Sequence, residues 1–214
     1  HKKTNKHIKT KRELVCMLND LHYGLNVDPD EVGGVNKYGW TEASRRTAFF
    51  INEVCNYKLD KRNDTDKVHL IINGDCIAGV IHGLTSRDND LLTHQTNGAI
   101  FIFTHAIARL AEHFKQVEVH YSVGNHSDMV HRREGGKRVS SQVYDNYESI
   151  IFYALSAAFR NIKSIKFNVS KTIYSSVNLP AGRLVFTHGH ILFSKELGNP
   201  GTSLNVKSLS NSVM

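Results

Sequence analysis

Four apolar, strand-like runs in this chain each end in a short polar cluster, and this repeated arrangement most constrains the possible fold. The runs are residues 14–18, 68–72, 117–123 and 184–186. Helix-like periodicity separates the first three runs, as in successive β-α-β units. Because an α/β sheet opens its binding crevice at the carboxyl ends of parallel strands, we expect the clusters to meet in one site.

The clusters contain carboxylates, imidazoles and a side-chain amide, which are ligands for divalent cations. They are Asp20-Leu21-His22, Gly74-Asp75, Gly124-Asn125-His126 and His188-Gly189-His190. No cysteine belongs to them, so the set favours Mn²⁺, Fe or Zn²⁺ over Ca²⁺. Two such ions, about 3.5–4 Å apart, could activate a water and neutralise the charge that develops when a phosphate ester breaks. Each cluster alone is common, and only the series is informative.

The composition fits a globular domain with a surplus of positive charge. The 214 residues favour one domain, and 40% hydrophobic residues suffice for a core. The formal charge is +7, with a basic tail at residues 1–12 and a second basic cluster of Arg132, Arg133, Lys137 and Arg138. Such charge suits polyanions, so we expect nucleic acid as a partner and the second cluster as candidate phosphate-binding residues.

The cysteines and the histidines inside the predicted strands are expected to be structural or surface residues. Cys16, Cys55 and Cys76 are widely spaced, and two of them lie in apolar runs, which favours buried, reduced thiols. His69 and His120 lie within strand patterns. No apolar run reaches the ~20 residues that cross a bilayer, and no secretory signal is visible. We therefore expect a cytoplasmic protein without a membrane segment; the sequence does not give the oligomeric state.

The pattern as a whole predicts a layered α/β fold with mixed β-sheets flanked by helices. Helical periodicity occupies residues 41–54, 100–114 and 147–158. The third helix is predicted to bury Ile150, Ile151 and Leu155, and a hairpin is expected around Leu179-Pro180-Ala181-Gly182. The order β-α-β-α-β-α-β-β-β predicts early strands that are partly parallel and late strands that are antiparallel.

The motif order D-x-H, G-D, G-N-H and H-G-H resembles that of the calcineurin-like metallophosphoesterase superfamily. The resemblance runs from about Leu14 to Phe193, and the strand context of each motif agrees. The stretch from Asn19 to Trp40 resembles phage-encoded metallophosphoesterases, and the wider neighbours include DNA-repair nucleases. The resemblance implies that residues 13–214 form an α/β sandwich with two divalent metal ions, manganese being preferred over iron or zinc. A phage origin would place the protein in the host cytoplasm.

Carried over residue by residue, the resemblance assigns a role to each cluster. The implied metal ligands are Asp20, His22, Asp75, Asn125 and His188. Asp75 would bridge the two ions, and the nucleophile would be a hydroxide held between them. His126 would be the catalytic histidine that contacts the phosphate. His190 is a further candidate for binding metal or substrate.

Two departures from the family pattern leave alternatives open. Ser127 stands where the family usually has an acidic residue that orients the catalytic histidine, and Asp128 is the candidate to replace it. The family's final G-H-x-H motif has no counterpart after His190. We expect the chain to be truncated before that motif; otherwise His190 and another group compensate, or one metal ion is held weakly.

Three functions are compatible with these residues. The motif set, the basic cluster and the net charge favour a metal-dependent phosphodiesterase acting on nucleic acid, as a DNA exonuclease or endonuclease. A phosphomonoesterase acting on a phosphoprotein or a small metabolite would use the same metals. A catalytically degenerate scaffold, which keeps the fold and binds protein or nucleic acid, is the third hypothesis.

Overall fold

The computed structural model describes residues 12–60, 65–79, 89–129, 144–170, 172 and 174–189. The strands are β1 (Arg12–Leu18), β2 (Thr65–Asn73), β3 (Gln116–Ser122), β4 (Ile165–Asn168), β5 (Ser175–Leu179) and β6 (Gly182–Phe186). The helices are α1 (Trp40–Leu59), α2 (Leu92–His113) and α3 (Tyr147–Ala158), with a 3-10 turn at Pro29–Val32. Several predicted features lie outside the described residues, namely the tail up to Lys11, Arg132, Arg133, Lys137, Arg138 and His190.

The expected α/β class is confirmed, because β1 to β4 form a parallel sheet in sequential order with a helix between each pair. Right-handed crossovers between neighbouring parallel strands put these helices on one face of the sheet. There α2 packs between α1 and α3. The carboxyl ends of β1, β2 and β3 lie side by side, so the first three polar clusters start at one edge.

The face of the sheet under the helices forms the core. Alternate residues of β2 point to this side, and Val68, Leu70 and Ile72 are buried there. From α2, Phe103 and Ile107 join the same hydrophobic cluster. Each such side chain contributes about 1.5–3 kcal/mol on burial, so this layer holds the strands in register.

The opposite face of the sheet carries mostly polar side chains from β2 and β3. They are Lys67, His69, Asn73, Glu118, His120 and Ser122. The antiparallel β5–β6 hairpin, which the sequence predicted, covers part of this face. Ser175 Oγ donates to the Tyr121 carbonyl at 2.6 Å, and the Phe186 ring meets the His120 ring edge-on. His69 and His120 are therefore buried beside charged residues rather than in an apolar core.

The inner face of α3 differs from the prediction. Ile151 and Leu155 are buried as expected, but Ile150 is 48% exposed. Glu148 and Phe152 are buried in its place. A prediction based on the spacing of apolar residues does not identify a carboxylate that faces inward. Within the described segments, no helix is both long and apolar enough to cross a membrane.

Truncating a core residue on α2 tests the packing. Phe103 is 1% exposed and Phe101, two residues earlier on the helix, is 65% exposed. Phe103→Ala should lower the free energy of unfolding by about 3–5 kcal/mol, because it removes buried contacts and leaves a cavity. Phe101→Ala, the matched control, should change it by no more than about 0.5 kcal/mol. Urea denaturation followed by circular dichroism measures both, and equal effects of the two substitutions would contradict the packing described.

Candidate metal centre

The loops after β1, β2, β3 and β6 bring five predicted site residues together. They are Asp20, His22, Asp75, His126 and His188. The three histidines among them face one oxygen, Oδ2 of Asp75. Nε2 of His188 lies 3.1 Å from it, Nε2 of His22 3.8 Å and Nε2 of His126 3.9 Å. Three imidazoles from three different loops thus face a single carboxylate oxygen.

Backbone hydrogen bonds fix the loop after β1 against the loop after β2. The His22 N–H donates to the Asp75 carbonyl at 2.8 Å, and the Tyr23 N–H donates to the Cys76 carbonyl at 2.9 Å. Oδ1 of Asp20 then lies 3.8 Å from Nε2 of His22. The D-x-H cluster therefore approaches Asp75 through main-chain pairing as well as through its side chains.

The same loops contain residues with a backbone conformation that amino acids other than glycine rarely adopt. Among the described non-glycine residues, positive φ occurs at Asp20 (49°), His22 (44°) and Asp75 (48°). Such conformations cost of order 1–3 kcal/mol each and persist where the surrounding structure enforces them. All three belong to the candidate site, which is where strain of this kind is commonly found.

Asp75 is a buried carboxylate whose two oxygens have different partners. Oδ1 accepts the backbone N–H of His126 at 3.0 Å, and Oδ2 faces the imidazoles. Burial alone would raise the pKa of Asp75, but the hydrogen bonds from His188 and the His126 N–H lower it to about 2. Asp75 is therefore ionised at neutral pH and presents a fixed negative charge at the centre of the site.

Backbone carbonyls orient two of the imidazoles. Nδ1 of His126 lies 2.8 Å from the Ala78 carbonyl oxygen, and Nδ1 of His188 lies 2.9 Å from that of Asn73. Each Nδ1–H therefore donates to a carbonyl, and each Nε2 points towards Asp75. The carbonyl of Ala78 thus orients the catalytic candidate; the orienting role of Asp128 stays a prediction.

The carboxylate of Asp75 favours the protonated form of His188. Burial would lower the pKa of His188, but its hydrogen bond to Asp75 and the charge of that carboxylate raise it to about 9. For His22, in contrast, burial is the largest effect and lowers the pKa. A proton on Nε2 of His188 thus occupies a position from which a divalent ion could displace it.

Two glycines permit the close approach of the loops. A Cβ on Gly124 would lie 2.0 Å from Oδ1 of Asp75 and 2.2 Å from the Asp75 backbone nitrogen. Gly74 has φ +78°, and a Cβ there would lie 2.7 Å from the His188 ring. Any larger residue at either position would push apart the groups that the site brings together.

Glu148, on the first turn of α3, is a supporting residue that the sequence analysis missed. Its Oε1 accepts the Cys76 N–H at 2.6 Å, and its Oε2 accepts the Gly124 N–H at 2.7 Å. Asn146 caps the helix by accepting the Glu148 N–H, and its side chain donates to the Gly124 carbonyl. One buried carboxylate therefore joins the loop after β2 to the loop after β3. An acidic residue at the start of a predicted helix was the available signal.

Burial raises the pKa of Glu148, although the N–H donors of Gly124 and Cys76 oppose that effect. The contrast with Asp75 follows from their partners, since Glu148 meets neutral N–H groups and Asp75 meets a protonated imidazole. Of the two buried acids, Asp75 is the one suited to bind a cation.

The residues fit divalent metal binding. Two triads, His22-Asp75-His126 and Asp20-Asp75-His188, each place three potential ligand atoms within 4.8 Å of one another. They share Asp75, the residue predicted to bridge two ions. Carboxylates and imidazoles without a thiolate suit Mn²⁺, Fe or Zn²⁺. Asn125 lies half-buried in the same loop as His126, and its role as a ligand stays a prediction.

Replacing Glu148 tests whether it holds the site loops. Glu148→Gln keeps the size of the side chain but directs an NH₂ group at one of two backbone N–H donors. We expect the free energy of unfolding, measured with metal chelated, to fall by about 1–3 kcal/mol. Glu112→Gln is the matched control, because Glu112 lies on the surface and pairs with Arg109. It should have an effect below about 0.5 kcal/mol, and a similarly small effect of Glu148→Gln would argue against the supporting role.

Comparison with protein-family models and with curated proteins gives no match that indicates a function. No model of a known protein family matches this chain, and no curated protein matches it. The feature that bears on function is the convergence of His22, His126 and His188 on the Asp75 carboxylate.

Proposed function

We propose that this chain is a phosphoester hydrolase with two divalent metal ions and a calcineurin-like metallophosphoesterase sandwich. The observation that carries the proposal is the sharing of Asp75 by two triads of potential ligands. A bridging carboxylate surrounded by imidazoles is suited to a pair of ions rather than to a single one. The order of the strand-end motifs supports the same family.

The residues divide between the two ions in the order that the motifs imply. By that order Asp20 and His22 would hold one ion, Asn125 and His188 would hold the other, and Asp75 would contact both. The structure groups the same residues differently, with Asp20 beside His188 and His22 beside His126, so Asp75 is the ligand common to both divisions. When bound, manganese, or alternatively iron or zinc, would supply positive charge that acidifies a water and offsets charge on the phosphoryl oxygens. The ionised state of Asp75 and the carbonyl that fixes His188 prepare these groups for that task.

His126 is proposed to move a proton. The Ala78 carbonyl holds its Nδ1, so Nε2 is the atom that exchanges a proton with the leaving oxygen or donates a hydrogen bond to the phosphoryl group. Its ring packs edge-on against His22, with ring centroids 4.5 Å apart. The backbone N–H of His126 also donates to Asp75. The loop after β3 therefore positions both the imidazole proposed to transfer the proton and the carboxylate proposed to bridge the ions.

A phosphodiester of nucleic acid is the proposed substrate. The net charge of +7 and the basic cluster between Arg132 and Arg138 would attract a polyanionic backbone. The side chain of Asp20 is 58% exposed, so the site opens to solvent on that side. A phage-encoded nuclease of this kind would act in the host cytoplasm.

The decisive experiment combines metal analysis with hydrolysis by the full chain. Protein stripped of metal and reloaded with Mn²⁺ is incubated with labelled DNA, labelled RNA, a chromogenic phosphodiester and a chromogenic phosphomonoester. We expect diester hydrolysis, which Asp75→Asn abolishes together with most of the bound metal. His126→Ala should keep the metal and lose about 10²–10⁴-fold in kcat. Asp66→Asn, the matched control on a surface ion pair with Lys115, should change neither.

Each alternative gives a different result. Hydrolysis of the monoester with intact diesters would replace the proposal by a phosphomonoesterase. Absence of hydrolysis, with metal content unchanged in Asp75→Asn, would contradict it and favour a binding scaffold. A slow His126→Ala variant that has also lost metal would assign that residue to the ligands instead of to proton transfer.

A further inference from the structure

A second group of potential ligands lies inside the sheet, away from the loops of the candidate metal centre. It consists of His69 on β2 and of Glu118 and His120 on β3. His69 and His120 are buried, and Glu118 is half-buried. In the strand register His69 lies opposite Glu118, and strand alternation puts His120 on the same face.

The three facing atoms have the spacing of ligands around one small ion. Nδ1 of His69 is 3.0 Å from Nε2 of His120, and Oε2 of Glu118 is 3.7 Å from the first and 3.9 Å from the second. The point equidistant from these three atoms lies about 2.1 Å from each, which equals a Zn–N or Zn–O bond length. The three separations are therefore compatible with a single ion.

Oε2 of Glu118 faces the two imidazoles without a direct hydrogen bond to either. The two imidazoles can hydrogen-bond to each other at 3.0 Å. Oε2 of Glu118, however, lies beyond hydrogen-bond distance of either ring nitrogen. It is therefore aimed at the imidazole pair without binding it directly, and a cation at the common point would contact all three groups.

The surrounding residues resemble the outer shell of a zinc site. Oε2 of Glu13 lies 2.8 Å from Nε2 of His69, so His69 donates to this carboxylate and directs the lone pair of Nδ1 inward. In zinc proteins the far nitrogen of a ligating histidine commonly donates to a carboxylate, which fixes the orientation of the ring. Lys67 binds the other oxygen of Glu118, Oε1, at 3.0 Å and leaves Oε2 free to face the imidazoles.

Charge and access also suit a cation. With neutral imidazoles, the two glutamates and Lys67 leave the cluster one unit negative. A cavity of about 390 Å³ beside the β5–β6 hairpin reaches His120 and provides a route for an ion. Phe186 packs against the His120 ring from the hairpin side.

We propose that His69, Glu118 and His120 bind one Zn²⁺ ion as a site separate from the phosphoesterase centre. Gly124 lies four positions after His120, which corresponds to roughly 13 Å along an extended strand. The ligand set of two imidazoles and a carboxylate leaves a fourth position for water. Because no residue is shared with the Asp75 site, neither proposal depends on the other.

Zinc binding is measured in the full chain with Asp75→Asn as the background, so that the first centre does not contribute. Competition with a chromogenic zinc chelator gives stoichiometry and affinity, and thermal unfolding gives an independent readout. We expect one equivalent of Zn²⁺ and a higher unfolding temperature with zinc. Adding His120→Gln should remove both effects, whereas His105→Gln, an exposed histidine on α2, should leave them unchanged.

Substitution of Glu13, which contacts His69 but is not one of the proposed ligands, tests the arrangement without changing a ligand. Glu13→Gln should weaken zinc binding by about 10–100-fold. If His120→Gln does not fold, Glu118→Gln takes its place and should weaken binding at least tenfold. An absence of zinc in the Asp75→Asn background, or an equivalent that survives these ligand substitutions, would overturn the site. Neither result would bear on hydrolysis by the wild-type chain.

Discussion

A buried negative charge at Asp75 is the constraint on which the candidate site depends. Burying an unpaired carboxylate costs several kcal/mol, so its partners must be supplied by the fold. The His126 N–H satisfies one oxygen, and the imidazoles of His22 and His188 face the other. The positive φ angles and the close packing at Gly124 follow from placing these groups around one carboxylate.

Two different carboxylates hold the loops and face the candidate cation position. Glu148 holds the loops, and Asp75 faces the imidazoles. The oxygens of Glu148 accept hydrogen bonds from the N–H groups of Cys76, which follows Asp75, and of Gly124, which lies two residues before His126. Because α3 is anchored in the core through Ile151 and Leu155, the position of these loops is tied to helix packing. A site arranged in this way is preorganised, since its polar groups are fixed before any ligand arrives.

Residue patterns predicted the parallel sheet, the hairpin and the convergence at Asp75, because strand ends and alternation are local properties of sequence. They did not predict the supporting role of Glu148, because a carboxylate that faces inward from α3 is satisfied only by the N–H donors of Gly124 and Cys76, which the tertiary structure supplies. They also missed the relation of His69 to Glu118, since strand register is set by tertiary packing. Motifs therefore predicted the first candidate site, whereas its support by Glu148 and the second cluster depend on the tertiary structure.

The cluster of His69, Glu118 and His120 lies on the polar face of β2 and β3, whereas the candidate metal centre lies in the loops beyond the strand ends. Uncharged residues lie between the two. Ser122 Oγ donates to Oδ1 of Asn73 at 2.6 Å, and the Asn73 amide donates to the Thr187 carbonyl. The carbonyl of Asn73 in turn holds Nδ1 of His188. This hydrogen-bonded layer keeps charged groups apart while it links the sheet interior to the loops. The polar face of the sheet is thus joined to the loops of the candidate metal centre through Asn73.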